Sequence, residues 1–126
     1  MNLEIEAKKF LKRKNMSNIT ATEYQNKAKE TAIFPADKAL EYLSLGLVGE
    51  AGEVANKVKK LVRDGTSSLP KEWKEQIGSE IGDVLWYCAV LADDLGISLG
   101  KIASENETKL QGRKKRGMIS GSGDSR

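Results

Sequence analysis

The sequence predicts an all-α chain, a helical bundle built on four main helices, and three observations predict it. Two stretches carry apolar residues at alternating steps of three and four, the repeat of a single helix face. The two prolines, Pro35 and Pro70, stand at helix boundaries, so long uninterrupted helices fit between them. No stretch shows strand-like alternation of useful length, and there is no internal repeat. With 126 residues, 39% of them apolar and 31% charged, the chain amounts to one globular domain with a modest core.

Residues 1–19 read as an N-terminal extension with helical potential, placing Leu3, Phe10 and Leu11 among charges and breaking near Ser17–Asn18. Thr20 or Thr22 caps the next helix, which runs through Tyr24 to about Thr31, and Phe34–Pro35 ends that segment. Asp37 is the expected cap of a long helix reaching Arg63, with Leu40, Leu43, Leu47, Ala51, Val54, Val58 and Leu61 as its stripe. Asp64–Gly65 stops it. A third helix starts near Pro70 and carries Ile77, Ile81, Val84, Leu85, Cys88, Leu91 and Leu95. Gly96 ends it, and Ser98 caps a fourth helix that continues to roughly Gly112. The main domain spans residues 20–116, and residues 117–126 form a Gly/Ser-rich loop or mobile tail.

Composition removes several functions. The chain has no histidine, which excludes Ser-His-Asp triads, Cys-His dyads and His-ligated zinc. Any metal site must be made of carboxylates, and those suit Mg²⁺ or Mn²⁺. Cys88 is the single cysteine, so no intramolecular disulfide forms, and its apolar setting fits a reducing compartment; the cytoplasm is expected. No apolar run is long enough for a membrane span, and the N-terminus lacks the apolar core of a secretory signal. Net charge is +3, unevenly spread: residues 1–20 carry five Lys/Arg against two acids, residues 109–126 six against one, and residues 21–108 ten against fifteen. An acidic centre with basic ends is unlike a uniformly basic nucleic-acid binder, so no stable nucleic-acid partner is expected.

The acids are arranged. Glu50 and Glu53 stand three residues apart, as do Glu80 and Asp83 on the following helix. Such pairs share a helix face one turn apart. At roughly 100° per residue, Glu50 lies about 60° from the centre of its apolar stripe and Glu53 about 120°, so the pair flanks the packing seam. Antiparallel packing of the two helices sets the pairs face to face. Four converging acids repel unless a cation lies between them. Gly46, Gly49, Gly52, Gly78 and Gly82 cluster around them, which suggests close helix approach or room for a ligand, because glycine inside a helix is costly. One such acid pair is an ordinary solvated face. Two, both beside a core stripe and both among glycines, favour a site.

The segment LSLGLVGEAGEVANKVKKL followed by SEIGDVLWY resembles the motif pair ExxE and ExxD of the all-α nucleoside triphosphate pyrophosphohydrolases. That group includes MazG-like enzymes, dimeric dUTPases and dCTP pyrophosphatases. The resemblance covers residues 20–116. It implies a helical homo-oligomer, dimer or tetramer, that hydrolyses (deoxy)nucleoside triphosphates to the monophosphate and pyrophosphate. It further implies Mg²⁺, with Mn²⁺ as a substitute, held by Glu50, Glu53, Glu80 and Asp83. ENETKLQGR resembles the family's NxxKLxxR stretch at Asn106, Lys109 and Arg113, implying sugar or phosphate contacts there, and Tyr24–Gln25 resembles its Tyr-Gln entry.

Tyr87 follows Asp83 by one turn and shares its face; it either stacks on a nucleobase or packs as a half-buried tyrosine. Trp86 reads as core or subunit interface, and Trp73 as interface. Gln25 bonds a base edge or lies on the surface beside a core Tyr24. Lys57 either reaches the pyrophosphate or balances Glu53. The expected chemistry is attack of water on a phosphoryl group, with metal ions polarising the phosphates and one carboxylate, Glu53 among the choices, orienting the water. A catalytically silent helical module that binds nucleotide or metal is the rival. Pool housecleaning and pool adjustment are both compatible with the expected reaction. A four-helix chain this short has a limited core, which independently favours a second subunit.

Overall fold

The computed structural model describes residues 2–14 and 18–124, so Ser17 of the expected break and the last two residues of the tail lie outside the described residues. Five helices follow in order: α1 (Leu3–Lys14), α2 (Ala21–Lys29), α3 (Ala39–Arg63), α4 (Lys71–Asp94) and α5 (Leu99–Lys115). No strand occurs among the described residues. α1 packs against no other helix among them, so the bundle is α2–α5.

The local signals act largely as their chemistry dictates. Thr20 and Glu23 form a reciprocal capping box at the start of α2. Ser98 Oγ accepts from the Lys101 amide, 3.0 Å away, at the start of α5. Gly65 and Gly96 take left-handed conformations, φ 66° and 70°, directly after the ends of α3 and α4. Asp37 departs from expectation. It sits inside a single 3₁₀ turn, Ala36–Lys38, that leads into α3, and the true start of α3 carries no side-chain cap. Pro35 sets that tight turn, and a residue within it cannot also present its oxygen to the first amides of α3.

α3 and α4 run antiparallel, since Gly46 meets Tyr87 while Lys57, farther along α3, meets Glu80, earlier on α4. The buried residues gather at one end of this pair: Ala28 of α2, Ala39 and Leu43 of α3, and Ala89 and Val90 of α4. Tyr24, Phe34, Trp86, Tyr87, Leu91 and Leu99 pack around them. Small residues dominate, so the backbones approach closely and little apolar volume is enclosed. At the opposite end, Val54, Leu61, Trp73 and Ile77 form only a half-buried seam.

The two sequence stripes are therefore not closed within one chain. Leu40, Val58, Ile81, Leu85 and Leu95 all remain exposed, although the periodicity places them on packing faces. A compact monomer of this mass exposes about 6,600 Å². This chain of 13.8 kDa exposes 9777 Å².

Candidate functional site

α3 and α4 bring the two acid motifs together about two turns beyond the buried core. Glu50, Glu80 and Asp83 each offer a carboxylate oxygen within 4.8 Å of the others. Glu50 and Glu80 are half-buried and Asp83 is exposed. Loss of water and then the charges of Asp83, Glu80 and Glu53 push the Glu50 carboxyl above the usual carboxylate range. Lys57 Nζ reaches Glu80 Oε1 at 3.5 Å, so this expected cation stands on the acid group. Three hard oxygen donors in mutual repulsion, with one lysine at their edge, fit a divalent cation such as Mg²⁺ or Mn²⁺. Glu53 lies outside the group of three. It is exposed and lines a separate open cleft with Val48, Gly49, Gly52, Asn56 and Lys59, while still near enough to raise Glu50.

A second cleft, about 290 Å³, opens directly on the acids and is lined by Thr31, Glu50, Asp83, Trp86 and Tyr87. Tyr87 rests against Gly46, where an added Cβ would overlap the ring. Its ring meets Trp86 edge-on, with centroids 4.9 Å apart. Burial, then a hydrogen bond with Tyr42, pushes its phenol above the ordinary value. Trp86 Nε1 donates to Thr31 Oγ1 at 2.8 Å, and that hydroxyl donates to the Ala28 carbonyl at 3.0 Å. Trp86 packs against the core, as expected, and also belongs to the cleft wall. The signal was present: Trp86 follows Asp83 by three residues, and i,i+3 neighbours share a face as i,i+4 neighbours do. Thr31, from the turn after α2, carried no such signal. Tyr24 also lies near enough to Asp83 for that carboxylate, after burial, to raise its phenol.

Gln25 is placed elsewhere, and the expected base contact does not fit its position. It is buried, and its Nε2 donates to the carbonyls of Ala89, 3.2 Å, and Ile97, 3.0 Å, while its Oε1 accepts from the Leu99 amide, 3.0 Å. Both amide protons are thereby engaged in latching α2 to α4 and to the turn that follows it. Tyr24 packs on the core as expected, while Gln25 is buried and not on the surface, because the open turn around Gly96 needs an internal partner for its carbonyls and amides.

Asn106 and Lys109 line a cleft on α5 with Ile102 and Glu105. No α5 residue lines the cleft that opens on Glu50 and Asp83. Arg113 is buried and turned toward the tail, donating to the carbonyls of Gly123 and Asp124 and to the Asp124 carboxylate. Among the glycines near the acids, Gly46 alone is in close approach; Gly49, Gly52, Gly78 and Gly82 face open space within the chain.

Residues 38–118 match the family model of the MazG nucleotide pyrophosphohydrolase domain. The chain belongs to the MazG family. The match starts at the foot of α3 and runs through α5, so it contains all four motif acids. The chain is also 47% identical over 109 residues to the Gene 37 protein of Mycobacterium phage L5, covering 82% of this chain and 96% of that one. No solved structure matches the chain significantly. The all-helical fold and the carboxylate group able to hold a metal ion accord with a MazG chain, and among the described residues no helix is long and apolar enough to cross a membrane.

Proposed function

We propose that this MazG chain hydrolyses (deoxy)nucleoside triphosphates to the monophosphate and pyrophosphate, with Mg²⁺ as the ion held by its acids. The observation that carries the reading is the convergence of Glu50, Glu80 and Asp83 to within 4.8 Å at the mouth of an aromatic-walled cleft. Glu50, Glu80 and Asp83 would hold Mg²⁺ there, and the ion would neutralise phosphate charge. The chain's own groups do the rest. Trp86 and Tyr87 offer a rigid wall for a nucleobase, fixed by Thr31, Tyr42 and Gly46. Lys57 supplies a positive charge beside Glu80. Glu53, outside the group of three, is the carboxylate left to orient a water molecule and accept its proton on an Oε atom. Asn106 and Lys109 contact the polyphosphate.

The α5 groups lie apart from the acid cleft within one chain, and several large apolar side chains are exposed. A homodimer, or a tetramer of two dimers, accounts for both: a second copy covers the open stripes and brings its α5 to the neighbouring cleft. The free Cys88 thiol suits the cytoplasm, where nucleotide pools are held. The reaction serves to clean or adjust those pools.

The test is turnover of canonical and modified (d)NTPs with Mg²⁺, products separated. Monophosphate plus pyrophosphate is the expected outcome. Diphosphate plus phosphate, or no turnover with any substrate, overturns the reading.

A further inference from the structure

The glycine-rich segment after α5 is not a loose tail. The Met118 amide donates back to the Arg113 carbonyl at 2.8 Å, closing the helix end. Left-handed Gly117 and Gly121, φ 68° and 113°, then reverse the chain, and Gly123, φ 86°, brings Asp124 back onto α5. There Arg113 Nη2 donates to the carbonyls of Gly123, 3.4 Å, and Asp124, 2.9 Å, and to Asp124 Oδ1, 3.1 Å. The same carboxylate oxygen accepts from Lys109 Nζ at 3.4 Å. The Arg113 side chain is 5% exposed, that of Lys109 41%, and that of Asp124 89%.

These environments separate the roles of the two cations. A guanidinium this deeply seated, with Nη2 turned to two backbone carbonyls while its buried Nε has no partner among the described residues, is an anchor for the returning chain. The ammonium is half-open and stands beside Asn106, one turn earlier on the same face. Free lysine has four rotatable bonds, so an unrestrained Lys109 loses considerable rotamer entropy on meeting a phosphate. A carboxylate that holds it in place beforehand removes part of that cost. The three groups together carry a net single positive charge, so attraction to a phosphate survives.

We propose that residues 117–124 are a working part of the phosphate-binding surface: Arg113 anchors the segment, and Asp124 is a positioning residue that orients Lys109 toward the substrate's polyphosphate. This rests on the reading of Lys109 as a phosphate contact. It assigns Arg113 to the segment's anchorage and not to the phosphate itself.

The experiment compares the full-length wild type with Asp124→Ala, Asp124→Glu, Lys109→Ala and the Lys109→Ala/Asp124→Ala double variant. Pyrophosphate affinity is measured by calorimetry, KM and kcat on the best nucleotide, and Tm by calorimetric scanning. Expected for Asp124→Ala are five- to tenfold weaker pyrophosphate binding, a matching rise in KM, kcat within twofold of wild type and an unchanged Tm. Asp124→Glu recovers part of the affinity, and the double variant is no weaker than Lys109→Ala alone. Equal affinity in Asp124→Ala and wild type overturns the positioning role while leaving the phosphate contact intact. Tighter binding in Asp124→Ala overturns it too, since Asp124 would then compete with the phosphate. Unchanged pyrophosphate binding in Lys109→Ala removes the phosphate contact itself and the proposal with it. Pyrophosphate binding does not require turnover, so an inactive wild type defeats the proposed reaction and leaves this comparison readable.

Discussion

The ring of Tyr87 packs against Gly46, at a point where a single methyl group would overlap it. The ring cannot easily swing away, because Trp86 meets it edge-on and Tyr42 holds its hydroxyl. Overpacking of this kind costs about 1–3 kcal/mol, and alanine's better helix propensity returns up to about 1 kcal/mol. Gly46→Ala is therefore expected to lose about 1–2 kcal/mol in urea unfolding and to raise KM for nucleotides. Gly78→Ala meets nothing within one chain and is expected to gain stability. A Gly46→Ala protein as stable as wild type, with unchanged KM, would show that Tyr87 is not held there.

Removal of one ligand from the acid group separates metal binding from folding. Glu80→Gln and Asp83→Asn should still fold, and both should lose the rise in Tm that Mg²⁺ is expected to give the wild type by binding only the native state. Turnover should fall roughly a hundredfold or more, the scale of losing one preorganised charged group. Glu53→Gln should keep the Mg²⁺-induced rise in Tm and lose turnover. If Glu53→Gln abolishes the rise as well, Glu53 is a metal ligand and not the group that orients water.

Gln25→Ala tests the latch. It strands the Ile97 carbonyl and the Leu99 amide and removes a second donor from the Ala89 carbonyl, which keeps its helical partner in α4, and an unmet buried polar group costs about 1–3 kcal/mol. A loss of about 2–4 kcal/mol in denaturant unfolding is expected on that basis, with KM unchanged in whatever protein remains folded. An altered base preference at full stability would return Gln25 to the nucleotide.

Asp124 gives a pH signature. The hydrogen bond from Arg113 comes first, then Lys109, in holding its carboxyl below the usual aspartate value. A carboxylate whose value is lowered by folding contributes stability above its unfolded pKa of about 3.9, and that contribution disappears as pH falls through the lower folded value. The Gly121 and Gly123 amides should be rigid by NMR relaxation at pH 6 and become mobile as the carboxyl is protonated in acid. In Asp124→Ala they should be mobile at both. Rigid amides in Asp124→Ala at pH 6 would mean that the backbone contacts of Arg113 alone hold the segment.

The open stripes make a solution prediction. Light scattering at micromolar concentration should give a dimer or tetramer, and charged substitution at exposed Ile81 or Leu85 should dissociate it. A wild-type monomer would end the proposal of a shared site.

Much of this was readable in the residues. Helix starts at Thr20 and Ser98 and stops at Gly65 and Gly96 are local events, written within four residues of themselves. The paired acids were readable because i,i+3 spacing fixes their face and antiparallel packing fixes their meeting. What escaped was set by other elements. Gln25 has the same sequence neighbourhood whether it faces a base or the α4–α5 turn, and only the folded turn shows which. Asp37 was lost to the tight turn that Pro35 imposes. Trp86 packs on the core as its position predicts, and its second role in the cleft wall follows from the i,i+3 step after Asp83. The segment after Arg116 reads as loose by composition, since glycines that permit disorder also permit the left-handed turns that return Asp124 to Arg113.

The antiparallel pair α3 and α4 is gripped by its core at one end only. Mechanically this is a cantilever. The far tips, near Arg63 and Lys71, lie well beyond the buried root, and Glu50 and Asp83 sit about two turns from it. Carboxylates so placed keep their spacing while the free arm sways, and whatever clasps the arm's exposed flank stiffens the beam without touching the acids.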